Sequence, residues 1–357
     1  MARPDPRRLA DGALVLAGGA VLAVVLQLAG VPSAPLFGGL LAGLVRGLAV
    51  RTPVDVPSAG TAAAQAVVGV SIGALVDLDT LAAIGEDWLP VLLVTVATLL
   101  LTVAAGLLLR LQPGITPVTG AFAMIAGGAS GITAMARDLG ADDRMVAVLQ
   151  YLRVLLIVVL VPVVATTLYG AQTGAQTGAG TQAAGPSGPG WPGDLLVTVA
   201  CVLVGIPLAR LVRLPVPALL GPMLVAATAD LSGIAGGADV PAAVEAAAFL
   251  LIGLQVGVRF TVASLRTVGR ALPLALVLIV GLVAACAGLG VVLSAATGVS
   301  RLDAYLATTP GGLYAVLATA TGTGADATFV LAVQVLRLFV MLLAAPLVAR
   351  RLRPRPG

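Results

Sequence analysis

Apolar residues gather in twelve runs, at 13–29, 36–50, 61–76, 89–109, 118–136 and 145–168, and again at 195–209, 218–229, 242–258, 272–296, 304–320 and 329–348. Short turns bearing Pro, Gly or charge separate them. Several runs fall short of the roughly 20 residues that a straight bilayer crossing needs, so half-helices and re-entrant hairpins belong to the expectation beside full spans. Between the two sets lies 171–190, a Gly, Gln, Thr and Pro tract with no charge and no apolar period, which reads as a flexible linker. The expected organisation is a basic cytoplasmic tail (1–12), a first membrane repeat (13–169), the linker (170–193), a second repeat (194–349) and a basic tail (350–357). The run at 13–29 follows Arg3, Arg7 and Arg8 and could be a signal peptide ending near Ala34. Its counterpart at 195–209, also leading into a Pro-rich turn, argues that it is retained.

Composition sharpens the class. Of 357 residues, 59% are hydrophobic and 10% charged, against roughly 25% charged in a soluble domain. With 44 glycines, 23 prolines and 3% aromatics, close-packed, interrupted helices are expected rather than a barrel. The formal charge of +4 comes from arginines in tails and loops, the distribution of membrane orientation and not of nucleic-acid binding. There is no histidine. Cys201 and Cys286 each stand alone in an apolar run, so the usual ligand sets for copper, zinc or haem cannot be built, and no metal or cofactor is expected. Both cysteines read as buried structural thiols.

The two sets of runs share motifs. Gly127-Gly128-Ala129-Ser130-Gly131 precedes Gly140-Ala141-Asp142, Gln150 and Arg153; Thr309-Pro310-Gly311-Gly312 precedes Gly324-Ala325-Asp326, Gln334 and Arg337. Asp142 and Asp326, Gln150 and Gln334, Arg153 and Arg337, and Pro162 and Pro346 are each 184 positions apart. Repetition at one offset reads as an internal duplication. Loop charges oppose one another in the two halves. Arg46 and Arg51 correspond to the acidic turn with Asp230 and Asp239. The acidic loop with Asp77, Asp79, Glu86 and Asp87 corresponds to Arg259, Arg266 and Arg270. Inverted halves require an odd number of crossings each, so one of six segments should not cross, and the Gly-rich fifth is the candidate. The expected fold is an all-α polytopic membrane protein with about ten crossings plus two broken or re-entrant helices, both termini cytoplasmic.

Inverted repeats with Gly- or Pro-interrupted helices at matching places point to a secondary transporter whose substrate sits at the repeat interface. A broken helix frees backbone groups that apolar surroundings tolerate only where they line a cavity or bind something, although glycines also serve close helix packing. Arg153 and Arg337 lie about 15 Å into the sixth helix of each half, with Gln150 and Gln334 on the same face. A guanidinium at that depth marks a substrate path or pins the freed carbonyls, and both can hold at once. Asp142 and Asp326 are placed to cap those helices or to couple a proton or sodium ion. The candidate binding residues are therefore Gly127, Gly128, Ser130, Gln150, Arg153, Thr309, Pro310, Gly311, Gly312, Gln334 and Arg337. Asp138, Asp143 and Arg144 read as loop charges. Gln65, Ser71 and Gln255, on Gly-rich third helices, are weaker candidates to line the path. Ser130 has no His or Lys to activate it, so hydrolysis is not expected, and no catalytic residue is assigned.

On these motifs the chain, from the first apolar run to Pro346, resembles the AbrB family of bacterial integral membrane proteins. The family name is shared with a small soluble DNA-binding regulator, which this apolar chain does not resemble. Members have also been labelled ammonia-monooxygenase-like, yet without histidine copper chemistry of that kind has no ligands here. The resemblance implies architecture and carries over no substrate and no agreed catalytic residues.

The expected function is transport of a small, anionic organic solute across the bacterial plasma membrane on a proton or sodium gradient. The alternative is a membrane sensor or regulatory protein that binds a ligand or partner without net flux. The expected partners are the bilayer and a small solute, not nucleic acid, and a homodimer is allowed.

Overall fold

The computed structural model describes residues 6–29, 31, 33–49, 57–76, 82, 85–127, 132–133, 135–136, 139–171, 190–214 and 216–352. Outside them lie Arg3, Arg51, Asp77, Asp79, Gly128, Ser130, Asp138 and the 172–189 part of the linker; the side chains of Arg7 and Arg8 are not described.

Described residues with regular structure are helical. In chain order they form α1 (Pro6–Leu28), α2 (Ala34–Ala49), α3 (Ser58–Gly73), α4 (Trp88–Leu109), α5 (Pro117–Met124) and α6 (Asp143–Leu168). After the linker come α7 (Trp191–Leu211), α8 (Pro217–Leu231), α9 (Ala242–Gly257), α10 (Val262–Val268), α11 (Leu272–Thr297), α12 (Arg301–Thr308), α13 (Leu313–Thr323) and α14 (Ala327–Leu352). Six of these helices are long and apolar enough to cross a membrane: α1, α4, α6, α7, α11 together with the turn before it, and α14. Four shorter apolar helices, α2, α8, α9 and α13, accompany them.

The chain folds into two compact units, and neither follows the halves of the sequence. One takes residues 1–78, 172–258 and 317–328; the other takes 79–171, 259–316 and 329–357. Each unit therefore draws elements from both halves, and α13 begins in the second unit and ends in the first.

In the first unit α2 packs on α9 and α3 on α8, because glycines let backbone meet backbone. A Cβ built on Gly253 would sit 1.9 Å from the Leu36 carbonyl oxygen, and one on Gly257 would sit 2.3 Å from that of Leu40. Gly69 and Gly73 meet Leu219 and Met223 in the same way, each at 2.3 Å. The pairings advance together along both chains, so α2 runs parallel to α9 and α3 parallel to α8. Small residues at helix contacts are the usual solution where lipid removes the hydrophobic drive between helices, and close approach gains dispersion contacts instead.

In the second unit α4 and α11 pack together, and each carries a short helix on a glycine: Gly106 against Gly120 and Ala121 of α5, Gly290 against Ala304, Tyr305 and Thr308 of α12. Phe122, Ile125, Ile132, Val146 and Met341 form its main buried cluster. Cys201 and Cys286 are buried and unlinked, as expected of structural thiols.

The backbone contacts yield a paired test. Gly253→Ala should cost about 1–3 kcal/mol, the usual penalty for overpacking a filled site. Gly281→Ala, with nothing within 4 Å of its Cβ position, should change stability by less than about 0.5 kcal/mol, as surface substitutions do. Thermal unfolding of the two purified variants compares them, and equal melting temperatures would remove the seam from the account of stability.

Candidate functional site

The site is assembled around two helix breaks in the second unit. In the first, Thr116 caps α5: its Oγ1 accepts from Thr119 N at 3.1 Å, and Pro117 supplies the fixed φ of a first helical position. The helix lasts eight residues and stops at Ile125, which is extended at φ −62° and ψ 125°. In the second, Ser300 caps α12 by accepting from Asp303 N at 3.1 Å, and its hydroxyl donates to Asp303 Oδ2 at 2.6 Å. This helix also lasts eight residues and stops at Thr309, extended at φ −55° and ψ 127°. Pro310 explains the second stop, since a residue before proline is pushed out of the helical region. No proline follows Ile125, so local sequence does not force the first stop.

Side chains from the long helices take up the carbonyls that each break frees. From α6, Gln150 Nε2 donates to the Phe122 and Ile125 carbonyls at 2.6 and 2.8 Å, and Arg153 Nη1 to that of Met124 at 2.7 Å. From α14, Gln334 Nε2 donates to the Leu306 and Thr309 carbonyls at 2.8 and 3.3 Å, and Arg337 Nη1 also donates to Thr309. In each pair the glutamine Oε1 accepts from arginine Nη2, at 2.8 Å for Gln150. The glutamine contacts keep the 184-residue offset: Phe122 matches Leu306 and Ile125 matches Thr309. All four side chains are buried, with Arg153 1% and Arg337 4% exposed.

The arginines therefore pin the break of their own half. That is one of the two roles their depth allowed, and the second cassette also approaches Arg153. A Cβ on Gly311 would stand 3.1 Å from Arg153 Nε and 3.3 Å from Nη2. Neither guanidinium has a carboxylate partner among the described residues, and each keeps a buried Nε without any hydrogen bond.

The other expected residues divide clearly. Thr309, Pro310 and Gly311 are buried in the second break, with Gly312 half-buried beside Ile157. The Thr309 hydroxyl donates to the Tyr305 carbonyl and so serves its own helix. Gly127 is buried against Ile132 and Met341, while Gly128 and Ser130 lie outside the described residues. Asp142 is exposed and accepts from Arg144 N and Met145 N, the helix-capping role. Asp326 directly precedes α14 and is half-buried. Gln65, Ser71 and Gln255 belong to the other unit. There Ser71 Oγ donates to Glu245 Oε1 at 2.5 Å. Sequence reasoning passed over Glu245. The signal was present, because an ionisable residue inside an apolar helix is uncommon enough to merit a role.

The fold and the buried polar breaks define a helical membrane protein with transmembrane-type helices. Residues 10–353 match the family described as transition state regulatory protein AbrB, and the chain belongs to that family. It is 34% identical over 319 residues to the AbrB protein of Escherichia coli (strain K12), which bears the name of a regulator; the match covers 89% of this chain and 90% of that one. It is also similar to YhjN of Bacillus subtilis (strain 168), at 27% identity over 290 residues, covering 79% and 76% of the two chains.

If the glutamines cap the carbonyls, Gln150→Leu should leave the Phe122 and Ile125 acceptors unpaired and cost about 2–6 kcal/mol, at 1–3 for each. Gln334→Leu should cost less, about 1–3 kcal/mol, because Arg337 still holds Thr309 and only the Leu306 carbonyl loses its donor. Thermal melts read both, and stability at the wild-type level in either variant would mean that the break needs no cap.

Proposed function

We propose that this AbrB-family protein is a secondary transporter of the bacterial plasma membrane, moving a small organic solute that carries one negative charge, on a proton or sodium gradient. The observation that carries the reading is the pair of buried arginines without carboxylate partners among the described residues and with unpaired Nε groups. Each guanidinium meets the C-terminal end of a short helix, whose dipole is worth about −0.5 charge. Two full cations are thus about half offset, leaving roughly one positive charge that no described residue meets. An uncompensated charge in apolar surroundings costs several kcal/mol, and such residues usually mark a substrate path. The site is assigned binding and no bond chemistry, so the reading is of a carrier and not an enzyme.

Architecture supports the same reading. The contacts shared at the 184-residue offset favour a duplicated chain, and the parallel runs of α2 with α9 and α3 with α8 favour halves of opposite orientation. With consecutive helices alternating in direction, α1 and α7 then point opposite ways. Duplicated, inverted halves with interrupted helices are the arrangement in which carriers bind their cargo. On this view Asp142 serves the fold, and Asp326 and Glu245 are the carboxylates assigned to coupling the ion. The regulatory names of the family and its Escherichia coli relative favour a second reading, a membrane sensor that binds the same anion without moving it.

Flux separates the two. Purified protein in proteoliposomes should accumulate radiolabelled small carboxylates under an imposed proton or sodium gradient, and Arg153→Lys should lower the rate at least about tenfold, or roughly 1.4 kcal/mol, while expressing normally. Binding without flux would make the protein a sensor. The topology has its own check. With Cys201 and Cys286 replaced, single cysteines at 171–190 and at 259–270 should label from opposite faces of the membrane, the first from outside. Labelling of both from one face would end the inverted arrangement.

A further inference from the structure

We infer that Arg153, and not Arg337, is the residue that touches the solute, and that its Nε–Nη2 edge beside Gly311 is a site for one carboxylate group. The inference deepens the anion reading above and rests on it.

Arg153 is 1% exposed, and two of its nitrogens are committed: Nη1 to the Met124 carbonyl and Nη2, through one of its hydrogens, to Gln150 Oε1. Nε has no partner. The edge formed by Nε and Nη2 faces Gly311, where a Cβ would lie 3.1 and 3.3 Å away, so the glycine keeps a side chain off it. Gly311 at φ +122° and Gly312 at φ +67° occupy a region closed to most side chains, which makes this junction a place where the chain can turn. Directly after it α13 opens at Leu313 and runs eleven residues. Its first N–H groups have no acceptor within the helix and form its positive end. A Cβ on Gly312 would meet Ile157 Cγ2 at 2.8 Å, so the wall one turn along α6 from Arg153 is apolar.

Two parallel N–H donors in one plane match the two oxygens of a carboxylate, the positive end of α13 begins two residues beyond Gly311, and Ile157 suits a hydrocarbon remainder. The geometry at Arg337 differs. Gly127 takes the place of Gly311 in the first break, and a Cβ there would meet Ile132 Cδ1 at 3.1 Å and Met341 Cβ at 3.2 Å, not the guanidinium. Arg337 instead holds the Thr309 carbonyl, two residues before Gly311. It is a positioning residue: it keeps the second break in the place where Gly311 faces Arg153.

The test uses purified full-length protein in detergent, with propionate as the probe and chloride at equal ionic strength as the reference, read by thermal shift. Propionate should raise Tm, and inorganic phosphate should do so less. The half-effect concentration of propionate should rise at least about tenfold in Arg153→Lys and in Gly311→Ala, against less than about threefold in Arg337→Lys, which retains a donor for Thr309. Arg337→Leu, which leaves Thr309 only its longer bond from Gln334, should weaken propionate, so recovery in the Lys variant separates positioning from plain loss of fold. Should Arg153→Lys fail to fold, Arg153→Gln and Gly311→Ala carry the comparison. No propionate shift in wild type, a larger shift with phosphate, or equal losses in Arg153→Lys and Arg337→Lys would each overturn the assignment. Asymmetric propionate binding without flux leaves this site standing and removes transport. Flux with equal losses for the two arginines does the reverse.

Discussion

A helix that stops in apolar surroundings leaves carbonyl oxygens with nothing to accept from, and the rest of the second unit is arranged around that fact. Each orphaned acceptor costs about 1–3 kcal/mol in a protein interior, and in lipid no water is at hand to relieve it. Two eight-residue helices, α5 and α12, stop in this way, and each is met by a glutamine and an arginine three residues apart on one face of a 26-residue helix. That pairing fixes which face of α6 and α14 turns inward. It also requires the short helices to lie close, which Gly106 under α5 and Gly290 under α12 permit.

Capping alone does not explain the choice of arginine. A neutral donor such as a second glutamine would satisfy the Met124 and Thr309 carbonyls without burying a cation, and burying a cation without a counter-ion is the expensive option. The short-helix dipoles offset only part of the charge. One residue type thus does two things here. The η nitrogens stabilise the fold, while the unpaired Nε keeps a donor and a charge in hand. A side chain with that surplus fits a site that is completed by something negative.

Much of this could be read before any coordinates. The even spacing of Gln150, Arg153, Gln334 and Arg337 placed them on one face at one depth, Gly127 and Thr309-Pro310-Gly311 marked the breaks, and Asp142 announced a helix start. Proline chemistry foretold the stop at Thr309. The stop at Ile125 was harder to place, because no proline follows it and the side chain that takes up its carbonyl, Gln150, comes from 25 residues away. Which elements share a unit was not legible at all. Periodicity says that α2 and α9 each have a small-residue stripe, but that Gly253 finds Leu36, in the other half of the chain, is a property of three-dimensional pairing. Glu245 was passed over for a different reason. Its partner is the uncharged Ser71, and the search was for charges repeated in both halves.

The glycines make the last distinction. Gly39, Gly43, Gly69, Gly73, Gly253 and Gly257 sit in regular helices with another backbone against them, so their lack of a side chain is used up in contact and the first unit is held by main chain on main chain. Gly311 and Gly312 sit outside helices at positive φ, where lack of a side chain leaves conformational freedom instead. Beside it the second break is gripped from α14, where Gln334 and Arg337, side chains with several rotatable bonds, hold the Thr309 carbonyl. Backbone contacts of the first kind cannot change without separating helices. Side-chain grips of the second kind can let go one hydrogen bond at a time, so any motion tied to the buried charge should begin at the second break, where the guanidinium and the glycine pair meet.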